Sequence, residues 1–199
     1  MKTLLEGYER FRDGYWQQHK ELYSTLAREG QAPRALVIAC SDSRVAPEMI
    51  FDCAPGEIFV VRNVSALVPP YEPDNQKHAT SAALEFAINA LEVRSVIVLG
   101  HSLCGGIRAL MKGPEESSSH DFIDSWMGIA KTARRRVCDS PETANADFDT
   151  QCAACEHEAI RISLANLLTF PWIKERVLDG RLTLTGLHFN VETGNLQMA

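Results

Sequence analysis

Long apolar runs are absent. Nothing in the chain approaches the ~20 consecutive apolar residues of a membrane-spanning helix, so no membrane role is expected. An excess of basic residues is absent too. Twenty Lys and Arg stand against 26 Asp and Glu, a net charge of −6, which argues against nucleic acid or a membrane surface as partner. There is no internal repeat and no low-complexity tract. The opening stretch MKTLLEGYERFRDGYW lacks the core of a secretion signal, because Glu6, Glu9, Arg10 and Arg12 interrupt it. The chain is therefore expected in the cytoplasm, where thiols stay reduced. Its six cysteines (Cys40, Cys53, Cys104, Cys138, Cys152, Cys155) then read as metal ligands, catalytic groups or packing rather than a disulfide framework.

What is present is an ordinary globular composition. The 199 residues are 45% apolar and 23% charged, which excludes a disordered chain, a collagen and a coiled coil. The length fits one domain with its own core. Residues 1–30 carry Leu4, Leu5, Tyr8, Phe11, Tyr15, Trp16, Tyr23 and Leu26 at helical spacing, with a break at Gly14 and a stop at Gly30–Pro33. Three short runs rich in β-branched residues follow: 35–39, 58–61 and 95–99. Their apolarity is continuous rather than alternating, the mark of strands buried on both faces of a parallel sheet. Residues 78–91 read as the crossover helix of a βαβ unit. Segments 113–121 and 138–151 read as loops, 121–137 and 153–169 as helices, and 181–196 as a strand and tight turn. The expected fold is α/β: a mainly parallel sheet flanked by helices, with an N-terminal helical arm.

Two segments carry chemistry. Cys40-Ser-Asp42-Ser-Arg44 follows the run 35–39 directly, and Gly100-His101-Ser-Leu-Cys104-Gly105-Gly106 follows the run 95–99. Ligands of open α/β sheets bind at the carboxyl ends of strands, and neighbouring parallel strands would bring these two segments together. Taken singly, each fragment has a bland reading. A buried cysteine is often only a small hydrophobe, and Asp42 could cap a turn with Arg44 as its surface partner. Taken jointly, Cys40, His101 and Cys104 make a Cys₂His set. Three protein ligands with one open position is the pattern of a catalytic zinc, and thiolate plus imidazole favours zinc over magnesium or calcium.

These segments resemble the β-class carbonic anhydrases, whose signatures Cys-x-Asp-x-Arg and His-x-x-Cys are both intact. The resemblance is dense from Gln31 to Leu110, including Pro55-Gly-Glu, Val60-Val-Arg-Asn-Val64 and Gly100-His-Ser-Leu-Cys-Gly-Gly-Ile107. It continues through Cys155-Glu-His-Glu and Asn166-Leu-Leu-Thr-Phe-Pro171. It implies one β-carbonic anhydrase domain over 1–199, one Zn²⁺ per chain, and reversible hydration of CO₂ to bicarbonate and a proton by zinc-hydroxide attack. It also implies a homodimer or higher even homo-oligomer, with the arm 1–30 packing on a neighbouring subunit. One branch of the family has an allosteric bicarbonate pocket built on a tryptophan three residues before the first cysteine ligand. Val37 stands there, although Arg62 matches the arginine, so the chain resembles the plant-like, non-allosteric branch.

Residue by residue, Cys40, His101 and Cys104 match the zinc ligands. Asp42 and Arg44 match the dyad beside the metal: the aspartate orients the nucleophile, and the arginine holds the aspartate off the zinc. Gln31 and the Gly105 N–H match donors to the oxygen that gains charge. Phe59, Val64 and Phe86 match the apolar pocket for CO₂, with Phe86 standing where plant-type members have tyrosine. Two alternatives share the same motifs: a carbon disulfide or carbonyl sulfide hydrolase on the same zinc, and a non-catalytic bicarbonate-binding regulator. Outside the motifs, Cys152-Ala-Ala-Cys155 with Glu156 and His157 reads as structural, a redox pair or a second metal site. No strand precedes it, and a thioredoxin-like motif needs one. Cys53 and Cys138 read as packing or surface thiols, Arg134–Arg136 as a solvated helix face, and His19, His78, His120 and His188 have no evident partners.

Overall fold

The computed structural model describes residues 1–113 and 121–199. Five strands, β1 (Ala35–Cys40), β2 (Ile58–Asn63), β3 (Ser95–His101), β4 (Thr183–Phe189) and β5 (Leu196–Met198), form one sheet in the order β2-β1-β3-β4-β5. The first three contacts in that order are parallel, and β5 joins β4 antiparallel at the edge. All six residues of β1 are buried, as the unbroken apolar run requires.

The helices are α1 (Lys2–Asp13), α2 (Tyr15–Gln18), α3 (Lys20–Glu29), α4 (Pro47–Ile50), α5 (Ala79–Glu85), α6 (Gly105–Lys112), α7 (Ile123–Met127), α8 (Lys131–Asp139), α9 (Phe148–Leu167) and α10 (Pro171–Leu178). On one face of the sheet, Leu36, Ile38, Val96 and Val98 pack with Leu84, Ile88, Ile160, Leu167, Phe170 and Ile173. Each such fully buried side chain stabilises the fold by about 2 kcal/mol. Gly100 lets α9 lie close on β3 just before His101: a Cβ there would stand 2.6 Å from Ile160 Cδ1.

The elements depart from the sequence reading in three places. The crossover helix expected over 78–91 is α5 followed by a π turn at Phe86–Ala90, closed by Leu91 N donating to Phe86 O at 3.0 Å. The helix expected over 121–137 is α7 and α8 joined by a 3₁₀ turn at Gly128–Ala130. Helix α9 starts at Phe148, inside the expected loop, because Asp147 caps it: Oδ1 accepts from Thr150 N at 2.9 Å. Of the loop expected at 113–121, only the two end residues are described, and His120 lies outside the described residues. The arm breaks at Gly14 as expected, and α1, α2 and α3 contribute no buried residue.

Candidate metal centre

The registers of the sheet assemble the site. Ala39 of β1 pairs with Leu99 of β3, so Cys40 and His101 leave the sheet side by side at its carboxyl edge. Cys104 sits three residues beyond β3 as the N-cap of α6, after Leu103 at φ 58°. The ligand atoms of Cys40, His101 and Cys104 all lie within 4.8 Å of one another, and all three residues are buried.

Whether these residues fit a metal is answered by His101. Its Nδ1 lies 2.9 Å from Ser102 O, so that nitrogen carries the proton and donates. Nε2 is buried without a hydrogen-bond partner. A deeply buried, unpartnered imidazole nitrogen beside two thiols is costly unless it binds an ion, and orientation of a ligating histidine through its other nitrogen is the usual arrangement. The two sulfurs respond to each other. A hydrogen bond with Cys40 pulls the Cys104 thiol well below its ordinary value, and the same bond pushes Cys40 up. A cation between them would hold both as thiolates.

Arg44 and Asp42 stand at the mouth. Arg44 Nε and Nη2 donate to Asp42 Oδ1 and Oδ2 at 2.9 and 2.7 Å, and Nη2 also donates to Leu103 O at 3.2 Å. The hydrogen bonds from Arg44 hold the Asp42 carboxyl well below the usual carboxylate range. Arg62 steadies the loop beneath, Nε donating to Cys40 O at 2.9 Å and Nη2 to Asp42 O at 2.5 Å.

The other candidate residues fall into two groups. Val64 and Gly105 lie at the start of α6: a Cβ on Gly106 would meet Val64 Cγ1 at 3.0 Å, and Gly105 opens the helix next to Cys104. Phe59 and Phe86 pair with each other instead, ring centroids 5.9 Å apart. Phe59 lies opposite Leu36 of β1, four residues below the level of Cys40, or roughly 13 Å along the strand. Gln31 is exposed in the segment before β1, at the opposite edge of the sheet from Cys40. Within one chain, Gln31, Phe59 and Phe86 therefore do not meet the metal ligands.

Several supporting residues had no assigned role from sequence. Glu156 of α9 is 4% exposed. Its Oε1 accepts from Cys104 N at 3.1 Å, and its Oε2 lies 3.1 Å from His188 Nε2. A readable signal existed: Glu156 falls among Cys152, Cys155, Ala159 and Ile160, the buried stripe of α9, where an unpaired charge is not tolerated. Ser65 lies against Cys104, with nothing in the sequence to announce it. His188 also stacks on His157, ring centroids 4.3 Å apart. His19 Nδ1 meets Tyr15 O, and His78 Nε2 meets Asp74. Cys152 and Cys155 belong to the second turn of α9 and pack in the apolar cluster under the site. Burial raises both thiols, Cys155 to about 12, which suits packing and not redox chemistry.

Three buried N and S ligands at the strand ends of a mainly parallel sheet, with one side open to an aspartate–arginine pair, make a metal site of the open kind that suits zinc. The carbonic anhydrase family profile matches residues 35–196. A chloroplastic β-carbonic anhydrase of Arabidopsis thaliana is 46% identical over 85% of this chain and 55% of its own length. A second from the same plant, β-carbonic anhydrase 3, is 37% identical over 100% of this chain and 76% of its own. The solved β-carbonic anhydrase CcaA superposes with a TM-score of 0.92 at 35% identity, covering 98% of this chain and 93% of that one. A tetrameric β-carbonic anhydrase from the ascomycete Sordaria macrospora gives 0.85 at 26% identity, over 99% and 95%. The chain belongs to the β-carbonic anhydrase family, and the plant relatives agree with the plant-like branch. It spans about half the length of the first of those relatives.

Proposed function

We propose that this protein catalyses the reversible hydration of CO₂ to bicarbonate and a proton, as a single β-carbonic anhydrase domain over residues 1–199. The observation that carries the reading is the buried Cys40–His101–Cys104 group with the unpartnered Nε2 aimed into it. Held by these three residues, zinc supplies the Lewis acidity that activates water near neutral pH.

The chain's own groups do the rest. Asp42, kept ionised by Arg44, accepts a hydrogen bond from the attacking water through a carboxylate oxygen and fixes where its lone pair points. Arg44 keeps that carboxylate from turning toward the ligands. The Gly105 N–H at the start of α6 is one of the donors a helix leaves free, and it donates to the oxygen that gains charge. Val64 gives CO₂ an apolar wall.

The pocket is completed by a second copy, in a homodimer or higher even homo-oligomer. Two features support this. Gln31, Phe59 and Phe86 stand apart from the metal ligands of their own chain, and Phe86 is 51% exposed. The arm also leaves Leu4, Leu5 and Tyr8 on the surface, Leu4 at 78% exposure, an apolar face that a neighbouring subunit would cover. A tetrameric relative among the solved structures points the same way. The cytoplasm suits six free thiols, and no helix of the described residues is long and apolar enough to cross a membrane.

CO₂ hydration measured beside CS₂ and COS hydrolysis on zinc-loaded protein tests the reading. Rapid CO₂ turnover with little hydrolysis of the sulfur substrates is expected. The reverse preference would assign a hydrolase on the same zinc, and bicarbonate binding without turnover would assign a regulator.

A further inference from the structure

The turn after β2 is held in a conformation its residues disfavour. Ser65 and Ala66 have φ of 65° and 54°, a region that side chains with a Cβ rarely adopt. The surroundings impose it. Asn63 brackets the turn, Oδ1 accepting from Leu67 N and Nδ2 donating to Leu67 O, both at 2.9 Å. Trp126 Nε1 donates to Val64 O at 2.8 Å. Local strain that is imposed in this way clusters at functional sites.

The outcome of the strain is a hydroxyl set between two sulfurs. Ser65 is buried, 7% exposed, with Oγ 3.4 Å from Cys104 Sγ and 3.8 Å from Met127 Sδ. Gly106 makes the approach possible, since a Cβ there would stand 2.2 Å from Ser65 Oγ. A neutral Cys104 thiol can donate to that hydroxyl. As a metal ligand Cys104 is a thiolate and can only accept. The bond then runs from Ser65 O–H to Cys104 Sγ, and a charged acceptor outcompetes the neutral Met127 sulfur.

We propose that Ser65 is a positioning residue of the metal centre, its hydroxyl donating to the Cys104 thiolate and drawing electron density off the sulfur that holds the metal. The proposal rests on the metal-centre reading above. Such outer partners fix a ligand's orientation and set how strongly it donates. Cys40 takes backbone N–H bonds from Asp42 and Ser65, whereas the Ser65 hydroxyl lies against Cys104, so the side chain acts on that thiolate.

Cobalt(II) in place of zinc in the full chain reads this directly through the thiolate-to-cobalt charge-transfer band. A hydrogen bond lowers the sulfur lone pairs, so removing it moves the band to longer wavelength. Ser65→Ala and Ser65→Gly, each carrying one cobalt per chain, should both show that shift. Glycine also relieves the positive φ, so S65G should melt above S65A while their bands coincide, separating hydroxyl from strain. Met127→Leu disturbs the same packing without touching the hydroxyl and should leave the band in place. Bands of S65A and S65G at the wild-type wavelength would overturn the proposal, and so would an equal shift in M127L. A wild-type protein with no thiolate band would overturn the metal-centre reading itself, and this proposal with it.

Discussion

Arg44 closes on Asp42 at three points: Nε and the backbone N–H both donate to Oδ1 at 2.9 Å, and Nη2 donates to Oδ2 at 2.7 Å. Both carboxylate oxygens are engaged, so the side chain neither rotates freely nor protonates at ordinary pH. The same guanidinium reaches Leu103 O, which ties the pair to the turn that presents Cys104. Charge, orientation and ligand placement are thus linked through one arginine.

Asp42→Asn should keep one zinc per chain while kcat/KM for CO₂ hydration falls at least about a hundredfold, the scale of one lost preorganised hydrogen bond to the reacting group. Arg44→Ala should lose activity by another route, since it frees the carboxylate of Asp42 to compete for the open metal position. Elemental analysis alongside stopped-flow hydration checks both. Normal turnover at full metal content in either variant would remove the pair from the mechanism.

Cys104→Ser should lose most of its zinc, because it removes one ligand of three and breaks the cluster with Ser65 and Cys40. Cys152→Ser should keep one zinc per chain. That thiol packs among apolar neighbours under the site and is raised by burial. Loss of zinc from the second variant alone would relocate the metal.

Much of this site was legible before any coordinates, and the reason is periodicity. The runs 35–39, 58–61 and 95–99 are short, apolar and rich in β-branched residues, which marks them as strands, although 58–61 is only half-buried, and parallel strands place their ends together. The ligand set followed from where Cys40, His101 and Cys104 fall relative to those runs. What stayed hidden depends on tertiary contact. Ser65 acquires its role only because Asn63 and Trp126 force positive φ on the turn, and no local pattern encodes that. The α9 start was missed because an Asp147 cap inside a polar segment looks like more loop. The separation of Gln31 and Phe59 from Cys40 required the register of β1 against β2.

The bare apolar face of α1 gives a test of assembly. Leu4→Glu with Leu5→Glu places two charges where a neighbouring subunit would pack. Light scattering should show a smaller species than wild type. If Gln31, Phe59 and Phe86 serve a neighbour's metal, activity should fall together with assembly while each chain keeps its zinc. An unchanged mass with both charges in place would show that this face is not at the interface.

The last expectation concerns acid stability and the seam between α8 and α9. Glu158 bridges the two helices, taking Arg136 Nη1 at 3.1 Å and Arg161 Nη1 at 2.6 Å. Burial alone would raise its carboxyl, but the hydrogen bonds from the two arginines outweigh burial and leave it below the usual value. A carboxyl lower in the folded than in the unfolded chain contributes stability above the unfolded value, about 4.3. That contribution fades as pH falls through the folded value, where the folded protein too takes up the proton. Both arginines are about half exposed, so the bridge is worth at most about 1 kcal/mol. Glu158→Gln should therefore melt a few degrees below wild type at pH 7, as such a loss shifts a domain of this size. The two should converge as the pH falls below the folded value. The pair of melting curves at pH 7 and pH 3 decides it: a gap that persists or widens in acid would mean that packing of the Glu158 stem, and not its charge, joins these helices.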